Sequence, residues 1–308
     1  VVLVLTSGVA VLAAGFGADR SSPAVPAGPN LKYGPPVTNA PTEFDPLRQA
    51  IQVGWMPPGL TYVTEGVRRT EASYMSTNTD GQPDYEVRLA ARGHDFELES
   101  QFTRIPGAKS VAGPEINGSP TRWYTATYNA GKTTTHELRW EWFPGARASV
   151  VLPDQPDALD VAVRIAESTR LTTTPLRLPY TVDVPASYRA SGAGTYWRHD
   201  ELRSYWTEFE STATGAFLGI GVAANTMTLD CEPNTVISDR PGQTKQDGEI
   251  AGVRVRQPTV QFGLDCNDLP KRPGSAAAAM TRCRAVAESI DLVADPLKYD
   301  TWPPATLR

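Results

Sequence analysis

Apolar and polar residues alternate with a period of two along much of the chain, which is the pattern of half-buried β-strands. In one such run, Tyr85, Val87 and Leu89 share a face. Two segments instead have apolar residues at helical spacing, at about residues 156–169 and 275–292. Because runs of strands precede each predicted helix, without strand–helix–strand alternation, the pattern favours antiparallel sheets.

The order of these predicted elements recurs in the second half of the chain. Four landmarks return in the same order: Ser73-Tyr74-Met75 as Ser204-Tyr205-Trp206, Glu115-Ile116-Asn117-Gly118 as Glu249-Ile250-Ala251-Gly252, Glu137-Leu138-Arg139-Trp140 as Thr259-Val260-Gln261-Phe262, and Ile165-Ala166-Glu167-Ser168 as Val286-Ala287-Glu288-Ser289. A period this long indicates a duplicated domain rather than a solenoid. We therefore predict an α+β fold of two tandem copies of an antiparallel β-sheet module, each closed by a C-terminal helix.

The chain divides by composition into five predicted segments. Residues 1–18 carry no charge and approach the length of a membrane span, which predicts a transmembrane anchor. A signal segment cleaved near Gly17 or Ala18 is the alternative. The remaining segments are a Pro-rich linker at 19–44, copy one at 45–171, copy two at 172–294 and an irregular tail at 295–308.

Composition and charge narrow the class of protein. Hydrophobic residues make up 40% of the 308 residues, so the chain can bury substantial cores. The net charge is -5 and no block of Lys or Arg is present, which argues against a nucleic-acid partner. The abundance of Thr, Pro, Ala and Arg is typical of high-GC bacteria such as actinobacteria. We predict a location at the cell membrane with the globular part outside the cytoplasm, or else secretion.

Three cysteines, all in the second half, carry a prediction about redox state. No C-x-x-C spacing occurs, which argues against a zinc ribbon or a thioredoxin-type site. An exported domain can hold a disulfide. Cys231 and Cys266 each end a Leu-Asp-Cys tripeptide, so we predict that they pair, and Cys283 is expected to be buried on a helix.

One short motif carries a family resemblance. The sequence Trp55-x-Pro57-x-Gly59-Leu60 follows a predicted strand. It resembles the opening of small α+β modules in bacterial extracytoplasmic proteins involved in sigma-factor regulation and lipoprotein sensing. The resemblance implies a binding or sensing function and no catalytic residue, because the motif residues are structural.

The sequence contains none of the common hydrolase, metalloprotease or phosphate-binding motifs. The three histidines, His94, His136 and His199, each have an acidic neighbour in sequence. We predict structural or solvated roles for them, and no metal or cofactor. The acidic strand face of Asp95, Glu97 and Glu99 is expected to be a solvated edge.

Aromatic residues are the candidate binding residues. Trp140 and Trp142 share one face of a predicted strand, and Trp197 and Trp206 lie in the second half. Exposed aromatic rings can stack on sugars, peptides or lipids, although packing within the core is the alternative.

These observations predict a non-enzymatic, membrane-anchored extracytoplasmic binding or sensing module. The expected partner is an envelope protein, a lipid or a wall component, with the membrane contacted through the N-terminal segment. The alternatives are an envelope-polymer hydrolase that uses His199, Asp200 and Ser204, or a structural spacer without a ligand.

Overall fold

The computed structural model describes residues 39–78, 85–96, 108–128, 133–199, 201–224, 232–247, 250–267 and 275–304. Within these ranges the first half contains the strands β1 (Arg48–Val53), β2 (Tyr62–Arg68), β3 (Glu71–Thr77), β4 (Tyr85–Ala90), β5 (Lys109–Ile116), β6 (Ser119–Tyr128), β7 (Thr133–Phe143) and β8 (Ala146–Pro153), then the helix α1 (Ala158–Ser168) and β9 (Thr169–Pro175). The second half contains β10 (Tyr180–Thr181), β11 (Tyr188–Arg198), β12 (Glu201–Ser211), β13 (Phe217–Ala224), β14 (Thr235–Ile237), β15 (Arg240–Asp247), β16 (Ile250–Arg256), β17 (Val260–Asn267), the helix α2 (Ser275–Ser289), β18 (Asp291–Leu292) and a short 3-10 helix (Tyr299–Thr301).

Fourteen of the strands form one antiparallel sheet. Its strand order is β14-β15-β16-β17-β13-β12-β11-β2-β3-β4-β8-β7-β6-β5. On each side of the β2–β11 boundary, the first three strands follow in chain order and the next four in reverse chain order. The two sides of the sheet therefore have the same strand arrangement. The other four strands form two-stranded ribbons, β1–β9 and β10–β18.

The prediction of two tandem modules, each closed by a helix, is wrong, and so is the α+β class. The described structure is mostly β, and its main sheet runs without interruption through both halves. The register of β2 with β11 extends from Arg68 opposite Gly192 to Tyr62 opposite Arg198. An unpaired strand edge leaves backbone N–H and C=O groups without hydrogen-bond partners. The pairing of β2 with β11 supplies partners to the facing edges of both strands.

The predicted boundary between copy one and copy two falls within a strand. Thr172, Thr173 and Thr174 lie in β9, which pairs with β1. The predicted irregular tail also packs into the protein, because Trp302 is only 1% exposed and its ring meets Tyr205 edge-on at 5.5 Å. The proposed boundary between 171 and 172 stays a prediction.

One face of the large sheet carries the hydrophobic core. Leu138 and Val150 in the first half, and Val253 and Leu264 in the second, are fully buried on this face. The helix α1 packs on β7 and β8, and α2 packs on β16 and β17. The alternation of side chains along each strand places polar residues and glycines on the opposite face. We call these two sides the covered face and the open face.

The helix α1 ends where hydroxyl groups satisfy its last turn. The hydroxyls of Ser168 and Thr169 both donate to the carbonyl oxygen of Ile165, at 2.9 and 2.8 Å. Thr169 already has extended backbone angles, so the chain passes directly from the helix into β9. The two helices lie close to the segments predicted at 156–169 and 275–292.

The expectation of a transmembrane helix conflicts with the described structure. In the ranges given above, no helix is long and apolar enough to cross a membrane. Residues 1–18, for which the anchor was predicted, and most of the linker at 19–44 lie outside those ranges.

A disulfide joins helix α2 to the sheet, and its partners differ from those predicted. Cys266 pairs with Cys283, with their Cα atoms 5.7 Å apart. Both residues are fully buried, because β17 presents Cys266 on the covered face, directly under the apolar side of α2. Cys266 is therefore not available to Cys231, which lies outside the described residues.

This disulfide generates a prediction about stability. The bond closes a loop with a sequence separation of 17 residues. A loop of this size restricts the unfolded chain enough to contribute about 3 kcal/mol. We expect reduction to lower the free energy of unfolding in urea by about that amount, and thiol counting of the unreduced, denatured protein to find one free thiol. Three free thiols in unreduced protein would contradict the pairing.

Candidate functional site

A cleft of about 330 Å³ opens on the covered face of the first half. It lies where the turn between β5 and β6, the strand β7, the end of helix α1 and the start of β9 meet. Its lining residues are Leu89, Ile116, Asn117, Ser119, Trp140, Glu141, Trp142, Phe143, Ala166, Thr169, Arg170 and Leu171.

The floor of the cleft is apolar and buried. Leu89 and Ile116 are each 1% exposed, and Leu171 and Trp140 are 7% exposed. Trp142 is partly exposed, and its indole N–H donates to the carbonyl oxygen of Ala90 at 3.2 Å. This hydrogen bond restricts the orientation of the indole, so this wall of the cleft is preformed.

The mouth of the cleft is polar because a tight turn carries polar residues to it. Asn117 and Gly118 have φ values of 51° and 80°, as a two-residue hairpin turn requires. Across the mouth, Glu141 accepts a hydrogen bond from the backbone N–H of Gly145 at 3.3 Å. Arg170 is exposed, and no ion pair involves it within the described part of the chain. The mouth can therefore donate and accept hydrogen bonds around an apolar interior.

The four predicted tryptophans do not form one site. Trp140 and Trp142 both line the cleft, near the end of β7 where its register with β8 is irregular between Glu141 and Phe143. Trp197 is 4% exposed, and its N–H donates to the hydroxyl of Thr195 at 2.9 Å, which makes it a core residue. Trp206 lies partly exposed on the open face.

The imidazole of His136 contacts side chains of residues that are distant in sequence. Its Nε2 lies 3.0 Å from Oδ1 of Asp154, and its Nδ1 lies 3.1 Å from the hydroxyl of Thr125. Trp123 stacks on the imidazole at 4.9 Å. In such an arrangement the imidazole can take a proton from the hydroxyl while the carboxylate orients the ring, but none of these residues lines the cleft.

The residues of the alternative hydrolase site are not joined in the structure. His199 is exposed at a turn with φ of 51°, and no hydrogen bond between it and Ser204 occurs among the described residues. Asp200 lies outside those residues. His94 is also exposed, and the neighbouring Asp95 forms an ion pair with Arg147. Glu97 and Glu99 lie outside the described ranges.

Glu137, the sequence neighbour of His136, lies on the opposite side of the sheet. It is fully buried, and a carboxylate oxygen lies 2.8 Å from a guanidinium nitrogen of Arg139. Burial raises the pKa of Glu137 above its ordinary value, and the positive charges of Arg139 and Arg88 partly oppose that rise. No cluster of three or more potential metal ligands occurs in the part of the chain that the structure describes.

Glu65 is a second perturbed carboxyl, at the junction of the two halves. It lies on β2 and accepts a hydrogen bond from the side-chain amide of Gln49 at 3.2 Å. Burial raises its pKa to about 7, and the Gln49 hydrogen bond offsets part of the rise. The side chain keeps intermediate exposure, so we attribute to it less than the full free energy of such a shift.

Sequence reasoning missed most of the cleft. Leu89, Ile116 and Leu171 come from three strands that are distant in sequence, and their contact depends on the sheet order. One local signal was available. The Asn117-Gly118 dipeptide, flanked by segments in which apolar and polar residues alternate, is typical of a tight hairpin. It places Ile116 and Ser119 side by side.

Sequence and structure comparisons show little similarity between this chain and known proteins. The chain matches no protein-family model and no curated protein. Among solved structures it is similar to MucB, in the crystal structure of MucB in complex with MucA(peri). The alignment covers 80% of this chain and 94% of the other, with 10% identity and a TM-score of 0.24. At this TM-score the similarity carries no argument about fold or function, and the resemblance to regulatory modules stays a prediction.

The raised pKa of Glu65 predicts a pH dependence of stability. The folded protein holds this proton more tightly than the unfolded chain, in which the carboxyl has its ordinary pKa of 4.5. The resulting stabilisation is complete below that value and is lost as pH rises through about 7. Relative to Glu65→Gln, wild type should therefore lose about 1–3 kcal/mol of unfolding free energy between pH 4.5 and 8.

Urea unfolding of both proteins across this pH range measures the difference. Glu167→Gln serves as the matched control, because Glu167 is an exposed carboxyl on helix α1. If the difference in unfolding free energy between wild type and Glu65→Gln stays constant at all pH values, the raised pKa of Glu65 is contradicted.

Proposed function

We propose that this chain is a non-enzymatic extracytoplasmic binding module that takes an apolar group of an envelope component into the cleft lined by Trp140 and Trp142. The observation that carries the proposal is the cleft itself. Its volume of about 330 Å³ is within the usual range for small-molecule sites. Its buried apolar floor and polar mouth combine features of binding sites that hold part of a ligand and orient the rest.

The chemistry of the lining favours binding over bond cleavage. The cleft-lining side chains are mainly apolar, and the polar ones at the mouth are an amide, hydroxyls, a carboxylate and a guanidinium. The carboxylate of Glu141 accepts from a backbone N–H, and the guanidinium of Arg170 offers hydrogen-bond donors. An occupant that is apolar at one end and polar at the other matches this arrangement.

The location outside the cytoplasm is supported by the disulfide between Cys266 and Cys283. Structural disulfides persist in oxidising compartments and are rare in the cytosol. Both sulfurs are buried in the second half, between α2 and the sheet. A buried bond of this kind fits a protein that is folded after export.

Blocking the cleft should abolish uptake of an apolar probe. We expect wild type to enhance the fluorescence of N-phenyl-1-naphthylamine, a neutral apolar dye. Ser119→Trp places a large side chain at the cleft mouth, where Ser119 is only partly exposed. The dissociation constant of this variant should rise at least about tenfold, a loss of about 1.4 kcal/mol of binding free energy.

Ser110→Trp is the matched control, because Ser110 is exposed on the same hairpin and does not line the cleft. Its affinity for the dye should equal that of wild type, and the melting temperatures of the two variants should agree within about 2 °C. If Ser119→Trp and Ser110→Trp bind the dye with equal affinity, the assignment of the binding site to the cleft is wrong. No dye binding by wild type would leave the structural spacer as the better description.

A further inference from the structure

The open face of the sheet has a glycine that its own packing does not explain. Gly221 lies in β13, opposite Trp206 of β12 and Gly263 of β17. A Cβ atom built on Gly221 would meet no atom of the described residues within 4 Å. Glycine within a strand lowers stability relative to alanine, and often marks a place where a ligand approaches the backbone closely.

At other glycines on this face, in contrast, a neighbouring side chain occupies the space where a Cβ atom would lie. A Cβ at Gly194 would lie 2.6 Å from Trp206 ring carbons, so this indole leans over β11 and away from Gly221. A Cβ at Gly263 would lie 2.7 Å from Cδ of Arg254. The indole thus extends from β12 over β11, and the arginine stem extends from β16 over β17, so that these two side chains leave the backbone of Gly221 open between them.

We call this feature the Gly221 slot, with Trp206 and Arg254 as its side walls and Phe217 at one end. Phe217 folds over Gly219, where a Cβ would lie 3.1 Å from its ring. Neighbouring strands are about 4.8 Å apart, so β12 and β17, which flank β13, lie about 10 Å apart, and one ring can lie on the Gly221 backbone between them. Trp206, Phe217 and Arg254 all keep partial exposure.

The charged groups around the slot are already paired. Arg254 binds both carboxylate oxygens of Asp265, at 2.8 and 3.1 Å, and donates to the carbonyl of Leu264 at 2.8 Å. In the next row, Arg68 and Glu208 lie 3.5 Å apart. A charged ligand would have to compete with these pairs, whereas an uncharged ligand leaves them intact.

We propose that the Gly221 slot binds a pyranose ring of an uncharged glycan. One face of a pyranose presents C–H bonds, which stack on the electron-rich face of an aromatic ring such as Trp206 or Phe217. Its hydroxyl groups each donate and accept a hydrogen bond. One hydroxyl can therefore accept from the Arg254 guanidinium while it donates to the Asp265 carboxylate, without separating the pair.

This site is independent of the cleft. Trp206 and Gly221 are on the open face, whereas Trp140 and Trp142 line a cleft on the covered face at the other half of the sheet. A glycan in the slot and an apolar group in the cleft would not compete. The two proposals can therefore fail separately.

Affinity electrophoresis in native gels tests the slot. The gels contain glycol chitin or hydroxyethylcellulose, both uncharged, and parallel gels contain anionic dextran sulfate. Wild type should be retarded by at least one uncharged polymer and not by dextran sulfate. Gly221→Val should lose this retardation, with the dissociation constant raised at least about tenfold. Its fold should be kept, since within the ranges that the structure describes no atom lies within 4 Å of the Cβ position that the new side chain enters.

Ala112→Val is the matched control, because Ala112 is small and exposed on the distant edge strand β5. It should be retarded like wild type. If Gly221→Val does not fold by circular dichroism, Gly221→Ala replaces it, with weakened retardation as the expected result. The proposal is overturned if wild type runs equally in gels with and without the uncharged polymers. It is also overturned if the folded Gly221 variant is retarded as strongly as wild type, or if dextran sulfate alone retards the protein.

Discussion

The antiparallel pairing of β2 with β11 is the constraint on which the rest of the structure depends. Each of these strands begins the run of strands on its own side, and each would otherwise expose an unpaired edge. Their pairing, from Tyr62 opposite Arg198 to Arg68 opposite Gly192, joins the two halves into one sheet. It also fixes which face each strand presents, because a shift of one residue would exchange the two faces.

The common register explains why the two faces of the sheet differ so much. Both helices pack on the covered face, where alternate residues such as Leu138 and Leu264 are buried. The open face carries polar side chains and glycines. The cleft forms on the covered face at the end of helix α1, above buried apolar residues of β4, β5 and β7. The slot on the open face needs no cover, because its floor is backbone.

The sequence predicted local structure better than pairing between distant segments. Both helices occur close to their predicted positions, because periodicity reports which residues of a single element are buried. Of the repeated landmarks, Tyr74 and Tyr205 lie on strands that hold corresponding places on the two sides, whereas Trp140 on β7 and Phe262 on β17 do not. The continuous sheet, the Cys266–Cys283 pair and most of the cleft depend on contacts between distant segments, which local patterns do not contain.

In the proposed function, the covered face holds the binding site of this protein, in the cleft beside Trp140. Hydrogen–deuterium exchange measured by mass spectrometry, with and without saturating N-phenyl-1-naphthylamine, tests it directly. Ordered amides around an occupied cleft open less often. We predict slower exchange in peptides that cover 116–119, 140–143 and 169–171, with unchanged exchange across β13. Slower exchange confined to β12 and β13, or no change near the cleft with the dye bound, would contradict the claim.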